Sequence, residues 1–277
     1  MPVMRKVMLS VAPVSASATQ NDPRAIAADV VACWRAGAAM VHLHCRDAYG
    51  RLTDDVSLLA ETVGLIRAQC PIIIQVSTGG VSNLTIEQRC RPCAPAWVEC
   101  NSLNVGSVNL GDAVYRNPMM DVRYCVQQIL ANGKVPEIEV FEIGMIHTAR
   151  VLARQFAFAH PLLFALVVGH PGAMPATEAA LDLMIRGLYT FYPEEANTLW
   201  GITEANRTDW RLIDAALDSG ASTVRIGFED SDSLGGRERA PHNAALVAAL
   251  AERVKAKGLL CATPDEARQM IGCRRGV

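Results

Sequence analysis

Eight short apolar runs rich in β-branched residues recur along the chain, and each is followed by a longer stretch with helical periodicity. They are Lys6–Ala12, Met40–Cys45, Ile72–Ser77, Val98–Leu103, Glu137–Ile143, Leu162–Val168, Thr198–Thr203 and Thr223–Phe228. Strand followed by helix, repeated, predicts parallel strands, because a strand can lie parallel to its predecessor only after a crossover. Successive runs start about 25 to 39 residues apart, the length of one β-α repeat, and eight repeats fill the 277 residues. The pattern predicts one (β/α)8 TIM barrel domain over residues 1–277, close to the usual size of about 250 residues. An open doubly wound sheet is the rival, but no G-x-G-x-x-G turn follows the first run.

The intervening segments support this reading. Asp22–Ala36 and Asp209–Asp218 carry apolar residues at i, i+3 and i+4 and open on Asp, as helix starts do. The stretch Pro161–Gly169 is about half as long as a membrane-spanning helix requires. The start, MPVMRKVMLSVAP, reads as a first strand and not as an export signal. Nine cysteines, an odd number in a chain this large, suit reduced thiols, so a cytoplasmic location is expected. Cys90 and Cys93 form a C-x-x-C with no second pair to complete a zinc site, so they read as loop or helix positions. With 26 basic and 28 acidic side chains and no long run of one sign, nothing marks a nucleic-acid partner.

Active sites of such barrels sit where the strands end at their C-terminal side. Those ends are rich in reactive groups: His42 and His44 on the second strand, Ser77-Thr78-Gly79-Gly80 on the third, and Ser102 and Asn104 on the fourth. The fifth offers Glu139 and Glu142, and the last offers Arg225, Glu229 and Asp230. Side chains two apart on a strand share a face, so His42 and His44 both point toward the barrel mouth. Arg225, Gly227 and Glu229 follow the same period, which brings Glu229 to that mouth as a third ligand. His2Glu with an open fourth position is a catalytic zinc set, although two hydrogen-bonded histidines beside an Arg–Glu pair would share this spacing. Asp230 leaves the strand in another direction; near Arg225 and Ser77 it is placed to act as a general base, or else to cap the next helix. The Ser77–Gly80 turn offers a hydroxyl and backbone N–H groups suited to a carboxylate or an oxyanion.

Absences narrow the chemistry. The four lysines, Lys6, Lys134, Lys255 and Lys257, all lie away from strand C-termini, which disfavours a Schiff-base aldolase. No G-x-S-x-G elbow is present for a serine nucleophile. His147, His160, His170 and His242 lack a partner at metal-ligand spacing and read as loop, cap or supporting residues.

The runs VHLHCRD (Val41–Asp47), QVSTGG (Gln75–Gly80), SLNVGSVN (Ser102–Asn109), PEIEVFE (Pro136–Glu142) and VRIGFED (Val224–Asp230), with HNAALV (His242–Val247) after them, lie in this order. In that order they resemble the β-keto acid cleavage enzymes, of which the 3-keto-5-aminohexanoate cleavage enzyme is the type. The resemblance spans nearly the whole chain. It implies a zinc-dependent barrel enzyme, expected to be a homo-oligomer, that condenses a 3-oxo acid with acetyl-CoA and releases acetoacetate and a new acyl-CoA. Carried over by motif, His42, His44 and Glu229 look like the zinc ligands, and Asp230 looks like the base, supported by Arg225 and Ser77. Ser77, Thr78, Gly80 and Ser102 correspond to substrate-binding positions.

One departure bears on the substrate. Ser17 stands where the aminohexanoate-cleaving type has an acid for the substrate amine, so a different 3-oxo acid is expected. Arg150 and His147, just past the fifth strand, are candidates to meet an anionic or polar tail. Two other readings share these residues. An amidohydrolase-like hydrolase also uses H-x-H on a barrel strand, but it needs further ligands, for which His170 is the candidate. In a metabolite-binding barrel the same residues would serve only packing.

Overall fold

The computed structural model describes residues 4–193 and 198–276. The chain runs through β1 (Lys6–Val11), β2 (Met40–Leu43), β3 (Ile73–Val76) and β4 (Cys100–Asn104), then inserts a hairpin of β5 (Val108–Leu110) and β6 (Ala113–Tyr115). It continues through β7 (Val135–Val140), β8 (Leu162–Val168), β9 (Thr198–Glu204) and β10 (Thr223–Ile226). Apart from the hairpin these strands pair in parallel in chain order, and β10 returns to β1 through Met8–Val11 against Thr223–Ile226. The sheet is therefore the closed eight-stranded barrel of a (β/α)8 fold. A second hairpin, β11 (Ser233–Gly235) with β12 (Glu238–Arg239), follows β10, and β13 (Leu260–Cys261) adds to β1 at Lys6 and Val7.

The helices between strands begin where the sequence signals them. In α1 (Pro23–Arg35) the Asp22 carboxylate accepts the Arg24 N–H and Pro23 occupies the first turn, where a missing N–H costs nothing. Ala27, Val30 and Val31 on its inner face join the core layer between barrel and helices. His242 caps α8 (Asn243–Ala256) by accepting the Ala245 N–H. None of the described helices is long and apolar enough to cross a membrane.

The barrel interior is graded from bottom to top because every second residue of a strand points inward. Met8, Met40, Ile73, Cys100, Val135 and Leu163 form an apolar layer at the N-terminal end, closed by Ala267 and Ile271 of α9 (Pro264–Ile271). Two residues further along β2, β3, β4 and β7 the inward positions become His42, Gln75, Ser102 and Glu137. The start of β4 carries a separate buried ion cluster. The Glu99 carboxylate accepts from Arg268 at 2.6 and 3.0 Å and also pairs with Arg67. This ties α9 to the wall beside β4.

Several boundaries differ from the sequence reading. The last barrel strand stops at Ile226 and not at Phe228, because Gly227 adopts φ +138° and a Cβ there would collide with the Ala12 carbonyl. An L side chain is strained in that conformation, so the turn depends on glycine. The fifth barrel strand is Val135–Val140, which leaves Glu142 as the N-cap residue of α5 (Ile143–Gln155). Cys90 and Cys93 end α3 (Ile86–Cys90) and a 3-10 turn, and both are buried.

Candidate active site

A cavity of about 960 Å³ opens at the C-terminal end of the barrel. Its wall includes His42, His44, Ser77, Gly79, Gly80, Glu139, Arg225, Glu229 and Asp230. The imidazole Nε2 atoms of His42 and His44 are 3.3 Å apart, and Glu229 Oε1 lies 3.2 Å from His44 and 3.9 Å from His42. This is the one group of three such donors among the described residues. An ion with bonds of about 2.0–2.1 Å in tetrahedral geometry holds its ligands roughly 3.3 Å apart, so the spacing fits one divalent ion.

The ring orientation fits as well. Buried His42 presents Nδ1 to the Gln75 amide oxygen at 2.6 Å, and the Gln75 amide nitrogen donates to Glu137 at 2.6 Å. With Nδ1 as donor, the unprotonated Nε2 faces the cluster, which is how an outer hydrogen bond fixes a ligand's tautomer. Burial, reinforced by Arg225, pushes the His42 imidazole down to about 3, so it is neutral at physiological pH. Gln75 and Glu137 were not singled out by sequence. The available signal was the two-residue period that places Gln75 level with His42 and Glu137 level with Ser102.

Glu229 arrives by a different route from the expected strand period. It lies beyond the Gly227 break, in a turn where its N–H donates to the Ala12 carbonyl at 3.1 Å. The turn also keeps Asp230 close to Glu229. Arg225 binds both: one nitrogen donates to Glu229 at 2.7 Å and to Asp230 at 2.9 Å, and Nε reaches Asp230 at 3.0 Å. Burial raises both carboxyls, but His44 and Arg225 hold Glu229 well below the usual range. For Asp230 burial outweighs Arg225, and the Glu229 charge adds to it, so the Asp230 carboxyl is raised. Two neighbouring carboxylates pushed apart in this way divide into a permanent anion and a proton acceptor. Glu139, 3.9 Å from Arg225, is driven to about 8 by burial, against Arg225 and with the nearby carboxylates.

The Ser77–Gly80 turn is placed as expected, with different internal contacts. The Ser77 hydroxyl lies 3.3 Å from that of Ser102 and accepts the Gly79 N–H at 3.2 Å, while Arg225 is the residue that grips Asp230. Thr78 and Ser102 sit behind the cavity wall, where the Thr78 hydroxyl donates to the Ser102 carbonyl at 2.7 Å. Gly79 must lack a side chain because the Tyr115 hydroxyl of the β5–β6 hairpin occupies that space. Arg150 and His147 do not line the cavity. They lie on α5 beside the rings of Tyr192 and Phe191, because the helix face that carries them packs outward. His170 and Ser17 do line it, the latter hydrogen-bonded to Ser15 at 3.0 Å. Lys6 pairs with Glu266, Lys134 donates to the Pro95 and Val98 carbonyls, and Lys255 and Lys257 pair with Glu252 and Asp218. None of the four reaches the cavity wall.

Residues 6–273 match the sequence profile of the beta-keto acid cleavage enzyme family. The chain belongs to that family. Among β-keto acid cleavage enzymes and related proteins, it is 30% identical over 285 residues to the 3-keto-5-aminohexanoate cleavage enzyme of Fusobacterium nucleatum, covering 99% of this chain and 100% of that one. It is 28% identical over 303 residues to the 3,5-dioxohexanoate:acetyl-CoA acetone transferase of Paraburkholderia graminis, covering 98% and 97%. A 3-oxoadipate:acetyl-CoA acetyltransferase of Cupriavidus necator is 32% identical over 246 residues, covering 87% and 83%. Among solved structures, apo ObcA superposes with a TM-score of 0.75 at 21% identity, covering 96% of this chain and 66% of ObcA, a little under two thirds. That likeness shows the barrel alone. As a β-keto acid cleavage enzyme the chain is a C–C bond-cleaving enzyme, and the arrangement around Arg225 is its candidate centre.

Proposed function

We propose that this chain is a zinc-dependent enzyme, one domain over residues 1–277, that condenses a 3-oxo acid with acetyl-CoA to give acetoacetate and a new acyl-CoA. The observation that carries the reading is the convergence of His42, His44 and Glu229 donor atoms at 3.2–3.9 Å beside the Arg225–Asp230 pair. Zinc held by these three residues would supply Lewis-acid polarisation of the substrate's keto oxygen. Asp230 accepts the proton from the carbon between ketone and carboxylate, and Arg225 orients it for that transfer. The C2 carbanion attacks the acetyl carbonyl of acetyl-CoA and expels the CoA thiolate. The thiolate adds to C3, the C2–C3 bond breaks, and Asp230 returns its proton to C2. Ser77, with the N–H group of Gly80, cradles the carboxylate, while Thr78 and Ser102, the other two positions carried over by motif as substrate-binding, hold that turn from behind. No covalent bond to the protein is needed, in keeping with lysines placed away from the cavity.

A cytoplasmic location is part of this reading, supported by nine free cysteines. So is a homo-oligomer, for which exposed Met120 and Leu183 are candidate contacts. The test combines metal analysis with an assay of acetoacetate formation. About one zinc per chain is expected, lost in His42→Ala and Glu229→Ala, with turnover only when acetyl-CoA is present. Asp230→Asn should keep zinc and lose at least a hundredfold in kcat. A metal-free preparation with full activity, or zinc loss in Asp230→Asn with retention in Glu229→Ala, would overturn the assignment.

A further inference from the structure

The wall that follows β8 is stiffened by backbone hydrogen bonds from several directions. Gly169 N–H donates to the Met174 carbonyl at 2.9 Å, and Met174 N–H donates to the Phe141 carbonyl at 3.1 Å. Gly111 N–H, in the β5–β6 turn, donates to the Pro171 carbonyl at 3.0 Å. This support presents His170 to the cavity with its ring 5.8 Å from that of Phe141. Neither ring nitrogen hydrogen-bonds to a described residue. Burial, and then Arg225, lower the His170 imidazole below its ordinary range, so it carries one N–H donor and one lone pair at neutral pH.

The charged groups nearby already engage one another. Glu139, Glu229 and Asp230, the carboxylates on the cavity wall, face Arg225 at 3.9, 2.7 and 2.9 Å. Each of these carboxylates is already turned toward Arg225, and Ser17, also on the wall, brings no acid of its own to a substrate ammonium. A tail carboxylate against His170 would meet a neutral imidazole and the Phe141 ring, and burying an unpaired charge is costly. A neutral oxygen meets neither penalty and finds a donor in place.

On the reaction proposed above, we propose that His170 is a specificity-determining residue that hydrogen-bonds an uncharged oxygen, a ketone or hydroxyl, on the acyl chain of the 3-oxo acid. The competing cations on the wall are Arg51, which pairs with Asp47 at 2.8 Å, and Arg46, buried, donating to the Gly50 carbonyl at 2.6 Å and leaving its Nε unpaired. Either would draw a dicarboxylic substrate instead.

The experiment measures kcat/KM with acetyl-CoA for five 3-oxo acids of one chain length, carrying a methylene, hydroxyl, ketone, ammonium or carboxylate in the tail. The wild type should favour ketone or hydroxyl over methylene by about tenfold, the size of one neutral hydrogen bond. In His170→Leu that ratio should fall toward one, and His170→Asn should restore part of it, with zinc content and circular dichroism showing that both variants fold. Preference for the carboxylate or ammonium acid overturns the inference, as does an equal loss on every substrate in His170→Leu. Turnover without the His170-dependent ratio overturns the inference alone. Absence of acetyl-CoA-dependent turnover with every acid overturns the proposed reaction and this inference with it.

Discussion

Replacing Gln75 with Met keeps a side chain of similar length while removing both polar contacts of the amide. His42 Nδ1–H loses its acceptor and Glu137 loses its donor, each a buried contact of 2.6 Å. A buried polar group left unpaired costs about 1–3 kcal/mol, so the pair should destabilise the fold by about 2–6 kcal/mol. For a chain of this length that lowers Tm by roughly 3–10 °C, since the unfolding entropy is about 2 cal/mol/K per residue. The site suffers separately. Without its outer partner His42 is free to present either ring nitrogen, and losses of this kind weaken metal binding about 10–100-fold. Competition with a coloured chelator at 25 °C, where the folded state is retained, measures that affinity independently of Tm. If Gln75→Met binds zinc within twofold of the wild type while Tm falls as expected, Gln75 is a core residue only and the proposed control of the His42 tautomer is wrong.

Two further perturbations act away from the metal cluster. Arg268→Ala leaves Glu99 with Arg67 as its remaining cation, and breaking a buried pair should cost about 3 kcal/mol or more; chemical denaturation measures this, and kcat/KM of the folded enzyme should not change because Glu99 lies at the opposite end of the barrel. Glu204, at the end of β9, has an oxygen without a hydrogen-bond partner and is pushed up to about 7 by burial, against Arg207. Its folded form keeps a proton that the unfolded chain gives up from about pH 4.3, so stability is lost as pH rises from there toward 7. Glu204→Gln should flatten the fall in Tm between pH 5 and 7.5, and an unchanged slope would refute the assignment.

The repeat of strand and helix was legible because each element carries its own local signal. Asp22 before Pro23 and His242 before α8 act through contacts within three residues, and the H-x-H pair needs only the two-residue period of a strand. The reading weakened where partners are distant in sequence. Arg268 and Glu99 are 169 positions apart, and His44 and Glu229 are 185 apart. Glu229 was named as a ligand for a geometric reason that does not hold, since the strand ends three residues earlier. Periodicity describes a continuing strand and cannot register the positive φ at Gly227 that ends it. Thr78 shows another limit of the motif alone: the two-residue period of β3 sends its side chain outward from the cavity wall, where it donates to the Ser102 carbonyl.

The Gly227 turn also lets Glu229 and Asp230 be adjacent in sequence and still take the different roles proposed for them. On a continuous strand two neighbouring side chains face opposite sides, so one carboxylate would have entered the cavity and the other the layer of helices. The turn removes that alternation and brings both within reach of Arg225, whose guanidinium has enough donors to serve the two at once. Their difference then comes from the remaining neighbours: Glu229 faces His44, while Asp230 has the charge of Glu229 beside it. On the proposed reaction, the separation of ligand from base would therefore rest on where the chain bends. A glycine with no chemistry of its own would then decide which carboxylate holds the ion and which is left to take the proton.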